Sequence, residues 1–299
     1  KEALVDDKIR LTYSQLREIA DKLAIGLTRL GISRGDYVLV QLPNWAEFVY
    51  TFFALQKIGA PAVLLLPRHM QIEINYFCGL TGARAWIVPE KHRSADYRPV
   101  IDEVMKTNPH LEHIISVRGG ENKSFIRLED LIQGATLSQE NLKELAGKKP
   151  EAAQIAFILP TGGTTGLPKA VPRTHNSAVC EAKYKAVARN QGSSDVCLIS
   201  TPLEHNLGLA ALNSTVYSSG RTVLLDSTRP EDLCATILRE KATCAPLVPA
   251  LLARLVEFKG LKRQDMTSLK ALYVGGAKTP ADVIKAVHER IGNVYVSAF

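Results

Sequence analysis

Aromatic residues are scarce, at 6% of the 299 positions, so the core must be aliphatic, drawn from Ala, Val, Leu and Ile. Long apolar runs are missing. The longest, at 48–55 and 61–66, fall well short of the ~20 residues that a membrane-spanning helix needs. The opening residues, KEALVDDKIR, lack the apolar core of a secretory signal. Cysteine is sparse, with five residues at Cys78, Cys180, Cys197, Cys234 and Cys244. They are scattered, odd in number and contain no C-x-x-C pair, which argues against a disulfide framework and a zinc site. They read as small buried hydrophobes in a reducing cytoplasm. A basic stripe is also missing. The net charge of +7 favours anionic ligands. Lys and Arg do not cluster with aromatics, however, which argues against a nucleic-acid face. No internal repeat or low-complexity tract occurs.

What is present is alternation. Helical spacing at 15–30, with Ser14 as N-cap and Gly31 as stop, is followed by an apolar strand at 37–42. The pattern repeats as helix 44–58, strand 61–66, helix 71–80, strand 85–88, helix 97–106 and strand 113–117. Residues 119–152 are polar and rich in Gly, Lys and Glu, and read as a surface connector. Strands are then expected at 154–159, 196–200, 222–225, 243–247, 271–274 and 294–298. Helices are expected at 175–189, 207–218, 231–240, 249–258 and 280–291. Such alternation predicts an α/β fold with parallel sheets covered by helices.

The strongest local signal is PTGGTTGLPK at 160–169, after an apolar strand and before a helix. Gly162, Gly163 and Gly166 permit close backbone approach to a ligand. Thr161, Thr164 and Thr165 add hydroxyls, and Lys169 adds a cation. Together they can surround a polyphosphate. It is not a Walker A loop, because Leu167 and Pro168 separate Gly166 from Lys169. No G-x-G-x-x-G spacing occurs either. A plain Gly/Thr turn is the alternative.

The loop fits [ST]-[SG]-G-[ST]-[ST]-G-x-P-K at every specified position, and so resembles the phosphate loop of the adenylate-forming superfamily. That superfamily comprises acyl-CoA synthetases, nonribosomal peptide adenylation domains and luciferases. LTYSQL at 11–16, PLEHN at 202–206 and VGGAK at 274–278 resemble further family segments, in the required order. QLPNWAEF at 41–48, EINYFC at 73–78 and VPRTH at 171–175 narrow the resemblance. They are similar to the free-standing ligases that activate 2,3-dihydroxybenzoate or salicylate in siderophore pathways.

The resemblance implies roles. Thr161, Gly162, Gly163, Thr164, Thr165, Gly166 and Lys169 would hold the ATP phosphates. His205 and Lys169 would be catalytic, with His205 between acyl carboxylate and phosphate. Asn206 would bond a ring substituent ortho to the carboxylate. His205, Asn206, Leu207, Ala211, Gly275 and Gly276 would line the aryl pocket. Gly276, Ala277, Lys278 and Phe299 would border adenine. Two positions depart from the dihydroxybenzoate pattern. Leu207 stands where those enzymes carry Tyr, and Ala211 where they carry a small polar residue. A substrate with fewer polar groups is implied, since an unpartnered buried hydroxyl costs roughly 1–3 kcal/mol. Glu204 replaces a usual Ala, and no role is evident for its carboxylate.

The implied reaction is attack of an aryl carboxylate on the α-phosphate of ATP, with loss of pyrophosphate, then transfer of the acyl group to a thiol. Magnesium is expected on the phosphates, with no metal ligand within these residues. The acceptor would be an aryl carrier protein or coenzyme A, with no nucleic acid or membrane partner. The alternatives are an aryl- or acyl-CoA ligase and a non-catalytic ligand-binding module. The resemblance further implies two packed α/β subdomains of an N-terminal domain. Residues 1–43 and 192–299 would form one, on the acyl and adenine side, and 44–191 the other, carrying the phosphate loop. A β-barrel subdomain and a C-terminal lid would lie beyond Phe299, so the chain is expected to be a fragment, weak or inactive alone.

Overall fold

The computed structural model describes residues 1–120, 122–161 and 166–298. The chain begins with β1 (Glu2–Val5), β2 (Arg10–Thr12) and α1 (Tyr13–Arg29). It continues through β3 (Val38–Val40), α2 (Ala46–Ile58), β4 (Ala62–Leu64), α3 (Gln71–Thr81) and β5 (Ala85–Pro89). A short antiparallel pair, β6 (Lys91–His92) and β7 (Ala95–Asp96), leads to α4 (Arg98–Thr107) and β8 (His113–Val117). β9 (Ile126–Arg127), α5 (Leu128–Gln133) and α6 (Gln139–Gly147) follow. The hairpin β10 (Ile155–Thr161) and β11 (Lys169–Thr174) then gives way to α7 (His175–Ala188). Next come β12 (Val196–Ile199), α8 (Asn206–Tyr217), β13 (Arg221–Leu224), α9 (Pro230–Glu240), β14 (Cys244–Leu247) and α10 (Pro249–Glu257). A single 3-10 turn at Arg263–Met266 precedes β15 (Ala271–Val274), α11 (Ala281–Arg290) and β16 (Tyr295–Ala298).

Two compact units emerge. One contains Lys1–Tyr13, Asn44–Ala46 and Val179–Phe299; the other contains Ser14–Pro43 and Glu47–Ala178. The first unit holds a seven-stranded sheet in the order β16-β15-β14-β12-β13-β1-β2, parallel except for β2. The second holds another seven-stranded sheet, β11-β10-β4-β3-β5-β8-β9, parallel except for β11. The α/β class with parallel sheets is therefore the observed one. The grouping differs from the expected 1–43 with 192–299. β3 hydrogen-bonds between β4 and β5, so it and α1 join the second unit, and only β1 and β2 join the first.

The core of the first unit is mainly aliphatic, whereas that of the second also buries aromatic rings, against the all-aliphatic expectation. In the first unit Leu198, Val223, Leu247, Leu252, Leu272 and Val287 pack together with little or no exposure. In the second, Leu39, Val63, Ile74, Phe77, Trp86 and Ile101 do so. The helices follow local signals. α9 and α10 start with Pro230 and Pro249, where a missing N–H costs nothing. α3 ends at Gly82 in the left-handed region, φ 62. α1 buries Leu16, Ala20, Leu23, Ala24 and Leu27 at helical spacing. Among the described residues no helix is long and apolar enough to cross a membrane.

Two expectations need correction. Residues 119–152 are not a plain connector. They contain α5 and α6, the latter capped by Ser138, whose Oγ accepts from Asn141 N at 3.2 Å. The mostly polar surface of these two helices hid them. The strand–loop–helix reading around 160–169 also omitted β11. This edge strand, KAVPRT, contains Pro172 and two charges, a composition that fits an edge and not a buried strand.

Glu47 on α2 and Arg118 after β8 form a bidentate pair at 2.8 and 2.9 Å inside the second unit, both about nine-tenths buried. Glu47→Ala removes the carboxylate and leaves a buried guanidinium without it. The expected result is a loss of about 3 kcal/mol in urea unfolding, against little change for an exposed pair such as Lys106 with Glu103.

Candidate active site

In the first unit the chain lays β13 on one side of β12 and β14 on the other. Strand order reverses there. In open parallel sheets such a reversal opens a crevice at the carboxyl ends of the strands, where ligands bind. The loop 200–205 leaves the end of β12 at this point and enters α8.

A buried side chain fixes that loop. Asn44, 6% exposed, donates from Nδ2 to Thr201 O at 3.0 Å and, at 3.4 Å each, to Ile199 O and Leu225 O. Its Oδ1 accepts from Leu203 N at 3.1 Å. One carboxamide thus ties the ends of β12 and β13 to the start of the loop. Asp6 holds the next turn, accepting from Ala46 N at 3.0 Å. Gly208 closes the other side. A Cβ there would lie 2.3 Å from Pro202 O, a backbone atom, so the first turn of α8 packs against the loop only without a side chain.

His205 is the N-cap residue of α8, with extended backbone (φ −102, ψ 148) and no side-chain capping bond. Its N–H donates to Pro202 O at 3.2 Å. Asn206, exposed, donates from Nδ2 to Glu181 Oε1 of α7 at 3.0 Å, and Glu181 is paired with Lys185 at 2.9 Å. The amide assigned to a ring substituent is thus occupied by a carboxylate in this structure. Leu207 is half-buried in the first turn, whereas Ala211, a turn further on, is fully buried.

Glu204 is 1% exposed, and neither carboxylate oxygen has a protein hydrogen-bond partner. Nearby, Ser200 Oγ and Thr201 Oγ1 are also buried without one. Burial pushes the Glu204 carboxyl up to about 8, and the charge of Asp226 adds to the rise. The loop therefore carries a neutral acid next to His205 at neutral pH.

The turn after β15 sits two strands away, about 10 Å at the usual strand spacing, at the same end of the sheet. Gly275 is buried and donates from N to Leu247 O at 3.2 Å, holding the turn to β14. Gly276 has φ +93, which favours glycine. Gly276, Ala277 and Lys278 are exposed. Phe299 lies outside the described residues.

In the second unit the β10–β11 hairpin frames the glycine-rich segment. Thr161 and Lys169 are register partners at its loop end, both exposed. Gly166 is exposed with nothing within 4 Å of a built Cβ. Gly162, Gly163, Thr164 and Thr165 lie outside the described residues. Among the described residues no group of three or more His, Cys, Asp or Glu could hold a metal ion.

The sequence pattern described as AMP-binding enzyme matches residues 1–299. The chain belongs to this family. Family relatives include a 2,3-dihydroxybenzoate-AMP ligase of Bacillus subtilis, 36% identical over 94% of this chain and 50% of that protein. A salicyl-AMP ligase / salicyl-S-ArCP synthetase of Mycobacterium tuberculosis is 33% identical over 90% of this chain and 46% of that one. Among solved structures, the anthranilate CoA ligase AuaEII in complex with anthranoyl-AMP superposes with TM-score 0.88. It is 25% identical over 99% of this chain and 56% of that one. The chain thus spans about half the length of the relatives it matches.

Asn44 and Glu204 are the site residues that motif reading undervalued. Asn44 had a signal, as an amide just past an apolar strand and a proline. Glu204 had one in its departure from the resembling pattern, but its burial was not legible. Glu204 also makes stability depend on pH. Below about 4.5 it is protonated folded and unfolded. As pH rises from 4.5 to about 8 the unfolded chain ionises while the fold holds the proton, so stability is progressively lost. Glu204→Gln removes this drain. Its unfolding temperature should exceed wild type at pH 8.5 by an amount reflecting a few kcal/mol, and the difference should shrink toward pH 4.5. A constant difference across that range would contradict the buried neutral acid.

Proposed function

We propose that this chain is the part of an AMP-forming ligase that activates an aryl carboxylic acid with ATP. The observation that carries the reading is the pinned loop at the strand-order reversal, which presents His205 and Asn206 at the carboxyl end of β12. The likeness to dihydroxybenzoate- and salicylate-activating ligases supports an aryl acid.

In this reading the acid carboxylate sits against His205, whose ring donates to it or to the α-phosphate. A carboxylate oxygen attacks the α-phosphorus, the bond to pyrophosphate breaks, and an aryl-adenylate forms. A thiol sulfur then attacks the acyl carbon, its proton is lost, and AMP leaves. Lys169 and the Thr161–Gly166 loop neutralise and orient the phosphates, and the turn 275–278 borders the adenine. Rate enhancement comes from positioning and charge neutralisation more than from covalent chemistry. Magnesium would offset phosphate charge when bound. In this reading Leu207 gives the pocket an apolar side, which favours benzoate, salicylate or a hydroxy-heteroaryl acid over more heavily hydroxylated rings.

The acceptor we favour is the thiol of an aryl carrier protein, in siderophore or nonribosomal peptide synthesis. Coenzyme A is the second reading, favoured by the likeness to AuaEII. The cytoplasm, which supplies ATP and reduced thiols, is the proposed setting.

The test is acid-dependent exchange of labelled pyrophosphate into ATP by the full-length protein. The panel is benzoate, salicylate, 2,3-dihydroxybenzoate, 3-hydroxypicolinate, a fatty acid and an amino acid. Exchange with one aryl acid is expected, and Lys169→Ala should reduce it by about tenfold or more. Exchange only with the fatty or amino acid would sink the aryl assignment. Thioester formation on a carrier protein or on coenzyme A then separates the two acceptors.

A further inference from the structure

The five cysteines are far apart in sequence, yet the sheet brings two together. Cys197 of β12 and Cys244 of β14 are register partners on adjacent parallel strands. Register partners share a face, and adjacent strands lie ~4.8 Å apart, within the ~4.4–6.8 Å Cα separation of a disulfide. Both thiols are free and buried, and Gln191 Nε2 donates to Cys244 Sγ at 3.9 Å.

The surroundings are cationic. The Arg189 guanidinium stacks on the Tyr273 ring with its carbon 4.0 Å from the centroid. Its Nη1 and Nη2 are buried and have no hydrogen-bond partner. Asp195 does not satisfy them. Its carboxylate is taken by Gly192 N at 2.8 Å, Thr243 Oγ1 at 2.9 Å and Lys270 Nζ at 3.5 Å. The charge of Arg189 acts on the nearby Cys197 thiol. The neighbouring Cys244 thiol and the Arg189 charge draw the Cys197 thiol below its usual range, against the opposing effects of burial and of Asp195. The neighbouring Cys197, together with burial, pushes the Cys244 thiol up. There is also a way in. A cavity of about 530 Å³ is lined by Arg189, Asp195, Cys244, Lys270, Tyr273 and Tyr295.

We propose that Cys197 and Cys244 form an oxidisable dithiol, converted to a cross-strand disulfide by a small hydroperoxide that enters through this cavity. The sulfur of Cys244, the one of the pair that lines the cavity, attacks the peroxide as its proton passes to the departing oxygen. The O–O bond breaks, an alcohol or water leaves with the thiol proton, and Cys244 becomes a sulfenic acid. The Cys197 sulfur then attacks the Cys244 sulfur. The S–S bond forms, the S–O bond breaks, and water leaves with the remaining thiol proton. One peroxide is reduced by two electrons and one dithiol is oxidised. The bond ties β12, which leads into the His205 loop, to β14 across the strand-order reversal.

The test treats the full-length protein with hydrogen peroxide, alkylates under denaturing conditions and maps the peptides by mass spectrometry. A peptide linking Cys197 to Cys244 is expected, two hydrogens lighter and reversed by dithiothreitol. It should form several-fold more slowly in Arg189→Gln, with the rate recovered in Arg189→Lys. Full alkylation of both cysteines while the exposed Cys180 oxidises would overturn the proposal. So would linkage as fast in Arg189→Gln as in wild type.

Discussion

The geometry of the candidate site depends on one carboxamide. Asn44 bonds the carbonyls at the ends of β12 and β13 and the amide of Leu203 from a position almost sealed from water. Parallel strands end in unpaired backbone groups, and a buried unpaired group costs about 1–3 kcal/mol. Asn44 satisfies several of them at once, and in doing so gives the loop 200–205 a single course into α8. His205 and Asn206 inherit their positions from that course. Gly208 contributes from the other side, because its missing Cβ lets the helix settle on the Pro202 carbonyl.

Such a loop encloses polar atoms that the protein does not pair. Glu204 is the extreme case, and desolvation resolves it by protonation. An ionised carboxylate at the residue before His205 would repel an incoming acid anion. The neutral form does not, so burial here reduces stability at alkaline pH and, in the proposed reading, leaves the carboxyl end of β12 without a like charge. The net charge of +7 acts in the same direction at long range.

Much of this was legible in the sequence, for physical reasons. β5, β8, β12 and β15 are short apolar runs flanked by amphipathic helices, and in a sheet covered on both faces that pattern leaves little choice. PLEHN and VGGAK stand at strand ends, where open α/β sheets carry ligands, and both are found there. The rest depended on pairing between distant segments. β1 and β2 are too short to stand out, and α1 and β3 join the second unit through hydrogen bonds of β3 that no local pattern encodes. β11 was hidden by its edge composition. The Cys197–Cys244 juxtaposition exists only because β14 crosses to the far side of β12. The resemblance supplied roles for individual residues, but not the Asn206–Glu181 bond or the burial of Ala211.

The central claim is that the Asn44-pinned loop receives the acid. Hydrogen exchange of backbone amides 201–208, with and without a hydrolysis-resistant aryl-adenylate analogue, tests it most directly in full-length wild type and Asn44→Ala. The account predicts ligand-dependent protection of this segment in wild type and its marked loss in the variant. Protection confined to other segments, with the variant indistinguishable from wild type, would contradict it.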